Sequence, residues 1–327
     1  MQSNQIRIGF VLVDGFPLLS YSSAIEPLRA GNLLSGENLF DIHHFSIQNS
    51  YVKSSAGAEV QTLNYQDAEE LDFLFLVAGG DPFSVDKPDF TAWLNELTKT
   101  ETVIGGISGG PVILTNAGLM KDFRMTVHWE HASLLEQMHP GLILERSLFV
   151  IDRNRITCSG GTAPLDLMHL LIAKEFGTKF ARDVSDWFIH TEVRKPGEAQ
   201  RSGLEERYGT QVMPILSSIE LIENHIADPL TLEQIARLVG ISSRHLNRLF
   251  QQELGTSVMK FCRQARLDVA RKLIESSALT NNEILHATGF SSPVQFSRSF
   301  RDRFGLPPTT YRKENNSKSK ILTVEME

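Results

Sequence analysis

The feature that most constrains this chain is a pattern that occurs twice between Gly240 and Arg312. With one residue inserted, Gly240–Phe250 and Gly289–Phe300 both read glycine, an apolar residue, two serines, and then a helical pattern with arginine two positions before phenylalanine. A shorter helical pattern precedes each segment, at residues 231–239 and 281–288. An internal repeat of this kind is usually one supersecondary unit used twice. Helix, glycine turn, serine N-cap and second helix together predict a pair of helix-turn-helix units.

The second helix of each unit has two different faces. Leu246, Leu249 and Phe250 fall on one face of the first, and Phe296 and Phe300 on one face of the second. The other faces carry side-chain types that read base edges in the major groove. The alternative interpretation is a solvated basic face on two ordinary helices. The residues predicted to point outward are Arg244, Asn247, Arg248, Gln295 and Arg298.

This segment resembles the DNA-binding domain of the AraC/XylS family of transcription regulators, including the closing Phe304–Pro308 and Tyr311-Arg312. It departs from the family at Leu285, where a small alanine is usual. The resemblance implies a sequence-specific regulator, an activator, that binds double-stranded promoter DNA and works with RNA polymerase. We expect a homodimer, because two short helices of one subunit read little sequence. By this resemblance the base-reading positions are Arg244, Asn247 and Arg248 in the first unit, and Val294, Gln295, Ser297 and Arg298 in the second.

The charge distribution agrees with DNA binding once the chain is divided. The net charge is −7, but residues 1–211 carry 17 Lys plus Arg against 27 Asp plus Glu, while residues 212–320 carry 15 against 10. The basic excess therefore lies in the segment with the repeat, as phosphate binding requires. The chain has two cysteines, far apart, and no apolar run of membrane-spanning length or signal-peptide pattern. These features predict a cytoplasmic protein without disulfides, zinc or membrane attachment.

The first half of the chain alternates apolar strand patterns with helical patterns. Residues 71–77 are nearly all apolar, as in a central parallel strand that is buried on both faces. Glycine-containing loops follow several of the strands. This alternation predicts a doubly wound, flavodoxin-like α/β domain, whose ligands bind beyond the carboxyl ends of the strands. The loops expected to converge there are Asp14–Pro17, Gly79–Asp81, Ser108–Pro111 and Ser159–Thr162.

A second resemblance covers about residues 6–189. The run Gly106–Pro111, followed by a helix and by Thr126–Trp129, is similar to class I glutamine amidotransferase-like domains of the PfpI type. The enzymes of that family have a cysteine nucleophile, commonly followed by histidine, where this chain has Ser108 and Gly109. A serine needs an adjacent base to attack, so we predict no enzymatic activity, no catalytic residues and no cofactor. The resemblance implies a sensor for a small nitrogen-containing metabolite, arginine-like or betaine-like. The predicted ligand-binding residues are Asp14, Glu26, Gly80, Ser108, Gly109, His128 and Trp129, with Glu26 matching the family's glutamate beside the nucleophile.

Alternatives remain at several of these positions. Residues 106–110 fit the G-x-S-x-G nucleophile elbow, with His128 and Asp166 downstream, so a DNA-tethered serine hydrolase or amidase using Ser108 is a rival hypothesis. The histidine precedes the acid, which is not the order of α/β-hydrolases. Trp129 either packs in the core or offers its ring to a cationic nitrogen. The N-terminal domain could also be a dimerisation platform without a ligand. His43, His44 and His131 do not complete a metal-ligand set with His128, so no metal is predicted.

The domain bounds predicted from these patterns are residues 1–190 for the ligand-sensing domain and 191–211 for a polar linker. Residues 212–315 form the DNA-binding domain, and 316–327 a polar tail. Within the DNA-binding domain, a longer helix at residues 258–276 joins the two units. It should hold the recognition helices about 34 Å apart, one turn of DNA.

Overall fold

The computed structural model describes residues 5–48, 50–201, 203–277 and 279–315. The chain divides into two compact units, Met1–Gln200 and Arg201–Glu327. This division falls inside the segment predicted to be the linker, and the predicted tail, 316–327, lies outside the described residues. Within the described residues, no helix combines the length and apolar character needed to cross a membrane.

A seven-stranded sheet runs through the described part of the first unit, in the order β10-β11-β7-β6-β1-β2-β5. All neighbouring pairs are parallel except β10 and β11 at one edge. The apolar run predicted at residues 71–77 forms the central strand β6, with burial on both faces. The strands are β1 Ile6–Leu12, β2 Phe40–Ser46, β3 Tyr51–Lys53, β4 Glu59–Gln61, β5 Leu63–Asn64, β6 Phe73–Ala78, β7 Val103–Ser108, β8 Arg124–Met125, β9 Ile143–Leu144, β10 Phe149–Asp152 and β11 Arg155–Cys158.

Helices cover both faces of this sheet, because alternate residues of each strand enter different cores. On β6, Phe75 and Val77 enter the core beneath α1, α5 and α6, and Leu74 and Leu76 enter the core beneath α2, α3 and α4. This doubly wound arrangement confirms the predicted fold class. The helices are α1 Leu18–Ser35, α2 Pro88–Leu97, α3 Gly110–Asn116, α4 Trp129–Met138, α5 Ala163–Phe176 and α6 Thr178–Trp187.

The described part of the second unit is helical. Its first core joins one face of α8 to α9, α10 and the start of α11, with Ile219, Leu246 and Phe250 fully buried. Phe296 and Phe300 are buried in the second half of the unit. The helix predicted at residues 258–276 is α11, with those bounds. The helices are α7 Leu204–Tyr208, α8 Met213–Asn224, α9 Leu232–Leu238, α10 Ser243–Leu254, α11 Val258–Ser276, α12 Asn281–Ala287 and α13 Pro293–Phe304.

Candidate ligand site and nucleic-acid interface

The Ser108 turn lies at the carboxyl end of β7, where the chain reverses directly into α3. Ser108 is buried, with 5% of its surface exposed, and its φ of 61° lies in the left-handed region. Serine rarely adopts this conformation, and such strained residues cluster at functional sites. Pro111 occupies the first turn of α3, where its fixed φ suits the start of a helix. Strand, strained serine and helix together form the geometry of a nucleophile elbow.

The structure brings the predicted loops together around this turn. The backbone N–H of Gly109 donates to the carbonyl of Ala78 at the end of β6, at 2.8 Å. The N–H of His128 donates to the carbonyl of Ser108 at 3.2 Å. On the third side, the N–H of Gly161 donates to the hydroxyl of Ser20 at 2.8 Å. The carboxyl ends of β6, β7 and β11 thus meet the start of α1, where a ligand of a doubly wound domain is expected.

The residue of α1 beside the turn is Ser20, and not Glu26 as the resemblance implied. A Cβ atom on Gly160 would lie 2.7 Å from the Cβ of Ser108 and 2.9 Å from the hydroxyl of Ser20, so these three residues are in close contact. Glu26 lies six residues further along the helix, about 9 Å along its axis. Its carboxylate pairs with Arg29 at 2.7 Å on a partly exposed face. Ser20 was missed because a serine in a run of small and apolar residues carries no chemical signal.

The other predicted ligand residues differ in their exposure and in the contacts that they make. The side chain of His128 caps α4 by accepting from the N–H of Glu130, and its ring is 5.3 Å from the ring of half-buried Trp129. Asp14 is exposed and accepts from the N–H of Lys53 at 3.2 Å. Gly80 has a φ of 60° in the loop after β6. The roles of these residues in ligand binding stay a prediction.

Among the described residues, the side chains of Ser108, His128 and Asp166 are not joined to one another by hydrogen bonds. The Asp166 carboxylate, the acid of the rival hydrolase hypothesis, accepts from Nη2 of Arg194 at 2.7 Å and from Nε2 of His190 at 2.9 Å. Within the described residues, the Ser108 hydroxyl has no hydrogen bond to a histidine or a carboxylate. Nor does Cys158 replace the missing thiolate, because complete burial raises its pKa to about 12.

Position 109, where the enzymes commonly have histidine, leaves no room for a side chain. A Cβ atom on Gly109 would lie 2.9 Å from the carbonyl oxygen of Ala78 and 3.0 Å from the ring of Pro82. A histidine would therefore have to displace the end of β6 or the Pro82 turn.

Among the described residues there is also no group of three or more His, Cys, Asp or Glu side chains that could hold a metal ion.

In the second unit, both helix-turn-helix motifs have matching caps. Thr231 and Thr280 begin the first helices with capping boxes, and the following turns pass through glycines with positive φ. Ser242 accepts from the N–H of His245 at the start of α10, and Ser292 accepts from the N–H of Gln295 at the start of α13. The caps give the register of the repeat, and the one-residue insertion lies before Ser292.

This register pairs each predicted base-reading residue of α10 with one of α13, and it adds one residue to the set. Arg248 and Arg298 occupy equivalent exposed positions, as do Arg244 and Val294, of which Val294 is 78% exposed. Exposed His245 is the equivalent of Gln295, and the sequence-based set omitted it. The serine N-cap is the sequence signal that could have identified His245. Counting from the cap in each helix places His245 and Gln295 at the same position.

Asn247 and Ser297 are the half-buried pair of this set. The Oδ1 atom of Asn247 accepts from the N–H of Val258 at the start of α11, at 3.0 Å. A bidentate contact to adenine needs the amide oxygen as an acceptor and the amide nitrogen as a donor. We therefore expect Asn247 to contact a base through its amide nitrogen. The hydrogen bond from Val258 to its amide oxygen should hold the amide group in that orientation.

These two units define the class of the protein: a transcription regulator that joins a DNA-reading unit to an α/β unit with a ligand-site geometry. The DJ-1/PfpI family model matches residues 6–174, and a helix-turn-helix domain model matches residues 235–314. The HTH-type transcriptional regulator GlxA of Rhizobium meliloti is 42% identical over 318 residues, covering 96% of this chain and 98% of that protein. The regulator CdhR of Pseudomonas aeruginosa is 36% identical, covering 93% and 90%. The chain belongs to the family of helix-turn-helix transcriptional regulators with an N-terminal DJ-1/PfpI domain, which confirms both resemblances.

Solved structures agree with this assignment. An AraC family transcriptional regulator from Pseudomonas putida superposes with a TM-score of 0.51 at 25% identity, covering 56% of this chain and 99% of that chain. A ThiJ/PfpI family protein from Pseudomonas syringae, at 19% identity and a TM-score of 0.52, shares the fold. GlxA and CdhR, which both match nearly the whole chain, bear the names of transcriptional regulators.

Proposed function

We propose that the DJ-1/PfpI domain of this regulator is a non-catalytic sensor, which binds a small effector at the Ser108 turn and thereby controls DNA binding. The observation that carries the proposal is the Ser108 elbow itself. Its backbone is strained, with a φ of 61°, and within the described residues its hydroxyl makes no hydrogen bond to a histidine or a carboxylate. Backbone strain costs about 1–3 kcal/mol and persists where it has a use. Because no base is hydrogen-bonded to this hydroxyl, the use that we infer for the strained turn is to hold a ligand.

We infer that the effector carries a cationic nitrogen, as arginine-like and betaine-like metabolites do. The acidic groups of the adjoining loops, Asp14 and Asp81, support this inference. The carboxylate of Asp81 accepts from the N–H of Phe83 at 3.2 Å in the loop after β6. The half-buried ring of Trp129 supplies a π-face, which attracts cations most strongly where water is excluded. Ser20, Ser108, Gly80 and His128 complete the proposed ligand set.

We further propose that the protein activates transcription as a homodimer, in contact with RNA polymerase, in the cytoplasm where promoter DNA lies. The reading residues are Arg244, His245, Asn247 and Arg248 on α10, and Val294, Gln295, Ser297 and Arg298 on α13. Two reading helices per subunit cover few base pairs, so a second subunit supplies the remaining specificity. Equilibrium sedimentation with and without a selected duplex tests the dimer directly.

A thermal-shift screen of the full-length protein tests the sensor proposal. L-arginine, glycine betaine, carnitine and polyamines are the probes, because a ligand at 100 times its Kd stabilises the folded state by about 2.7 kcal/mol. We expect one class to raise the melting temperature, and Ser20→Ala or Ser108→Ala to abolish the shift. Ser133→Ala is the matched control, since Ser133 is exposed on α4. A shift that survives both site variants places the ligand elsewhere, and hydrolysis that Ser108→Ala abolishes would establish the rival enzyme.

A further inference from the structure

Residues 190–200, named the strap here, belong structurally to the first unit although their sequence reads as a linker. One end is held by Asp166, whose side chain is fully buried. Its carboxylate accepts from the backbone N–H of Arg194 at 2.8 Å, from the guanidinium of Arg194 at 2.7 and 3.0 Å, and from the ring of His190 at 2.9 Å. A buried carboxylate is tolerated only when it is paired and hydrogen-bonded, so this end stays docked.

The same end of the strap contacts a loop of the ligand site. Nη2 of Arg194 donates to the hydroxyl of Thr162 at 2.8 Å. Thr162 directly follows Gly160 and Gly161, which pack against Ser108 and Ser20. The fixed end of the strap is therefore one residue away from a wall of the Ser108 turn.

The other end of the strap contacts a second loop beside the Ser108 turn. Nε2 of Gln200 donates to the carbonyls of Val127 and Ser147, at 3.0 and 2.8 Å, and to the hydroxyl of Thr126 at 3.0 Å. His128, the next residue after Val127, donates its N–H to the carbonyl of Ser108. The loop at residues 126–128 thus connects the Ser108 turn to the last residue of the first unit.

This Gln200 anchor is incompletely satisfied. An amide nitrogen has two hydrogens, and here three acceptors share them. The Oε1 atom of Gln200 is buried and has no hydrogen-bond partner among the described residues. A buried polar atom without a partner favours the undocked state, in which water satisfies it. Gln200 is therefore the releasable end of the strap, and Asp166 with Arg194 is the fixed end.

We propose that the strap transmits occupancy of the Ser108 site to the DNA-binding unit: a group placed in the turn displaces residues 126–128 and releases Gln200. This inference rests on the proposed sensor function and names its regulatory route. The second unit begins at residue 201. Release of Gln200 therefore changes the length of free chain that joins the two units. Freeing residues 195–200 also breaks the hydrogen bonds that the N–H groups of Leu148 and Phe149 donate to the carbonyl of Pro196, and the bridge between Ser147 and Ala199. It lengthens the unbound connection by up to about 20 Å.

A covalent adduct tests this route without the natural effector. Ser108→Cys treated with iodoacetamide places a small group in the turn. Cys158 and Cys262 have pKa values raised by burial to about 12 and about 11, which slows their reaction, and the unsubstituted protein treated in the same way is the control for their modification. Mass spectrometry confirms a single adduct, and Ser108→Leu enlarges the same side chain without a reagent.

Hydrogen–deuterium exchange of the full-length protein is the first readout. We expect the adduct to speed exchange in a peptide covering residues 195–200 about ten-fold or more, through local opening, while a peptide from α13 is unchanged. Gln200→Glu, which removes the amide donor, should reproduce the fast exchange without any adduct. Unchanged exchange at residues 195–200 in both the adduct and the Ser108→Leu variant would overturn the proposal.

Affinity for a duplex selected from a random library is the second readout. We expect the adduct to change this affinity by about five-fold or more, the usual range of allosteric coupling, and Gln200→Glu to abolish the difference. Gln66→Ala, an exposed glutamine of the same unit, should keep it. An adduct effect that persists in Gln200→Glu, or fast exchange without any change in DNA affinity, contradicts transmission through the strap. A negative effector screen would instead count against the sensor function alone.

Discussion

The pair formed by Asp166 and Arg194 gives the sharpest prediction for stability. Arg194→Ala removes the guanidinium from a carboxylate that has no exposed surface. Breaking a buried pair from one side costs about 3–5 kcal/mol, because an uncompensated charge remains. The side chain of Arg194 is 33% exposed and His190 remains as a partner, so we expect the lower end, about 3 kcal/mol.

The expected loss corresponds to a fall in melting temperature of about 6–12 °C for a unit of this size. Tryptophan fluorescence follows this unit specifically, because the three tryptophans of the chain, Trp93, Trp129 and Trp187, all lie in it. Urea unfolding monitored in this way gives the free energy directly. The matched control is Arg29→Ala, whose surface pair with Glu26 should contribute less than about 1 kcal/mol.

A double variant separates loss of the charge pair from loss of packing. Asp166→Asn combined with Arg194→Ala removes the buried charge as well as its partner. We therefore expect the double variant to be more stable than Arg194→Ala alone. If Arg194→Ala costs no more than Arg29→Ala, or if the double variant loses the sum of the single losses, then Asp166 is not a charged anchor and the fixed end of the strap is wrong.

Three further predictions concern individual side chains. Arg248→Ala and Arg298→Ala should each cost about 1–3 kcal/mol on the selected duplex and less on random DNA, measured by fluorescence anisotropy; equal losses on both would make them phosphate contacts. Asn247→Ala removes the acceptor for the first N–H of α11 and should cost about 1 kcal/mol in urea unfolding of the second unit, followed by circular dichroism; an unchanged midpoint would contradict this role. Burial lowers the pKa of His44, so stability should fall as the pH drops below about 6.5, where the unfolded imidazole binds a proton that the folded one resists; the same slope in His44→Gln would refute this.

The fold and the DNA-reading helices could be predicted because both have periodic signals. The repeat of glycine, serine cap and apolar face recurs at fixed spacing, and the central strand β6 is nearly all apolar. The α/β order and the loops around Ser108 followed from the same patterns. Even the bounds of α11 matched, since a serine cap and an uninterrupted apolar face define its length.

Contacts between polar side chains that follow no periodic pattern could not be predicted from the sequence. The strap has no apolar period, so its sequence is typical of a linker, yet its side chains satisfy a buried carboxylate and two buried carbonyls. Ser20 was not among the predicted ligand residues, because a hydroxyl is chemically less conspicuous than a carboxylate such as that of Glu26. Neither contact can be deduced from residue type, because each depends on how the ends of distant elements meet.

Asp166 links the chemistry that this domain lacks to the regulation that we propose. A hydrolase triad would need this carboxylate to orient a histidine toward Ser108. Here its oxygens accept hydrogen bonds from Arg194 and His190. Without these two partners the strap would be undocked, and the carboxylate would be buried without a cation. One carboxylate cannot orient a catalytic base and anchor the strap at the same time. If the strap transmits the signal, using Asp166 for the anchor therefore excludes this carboxylate from a triad with Ser108, as the proposed sensor function requires.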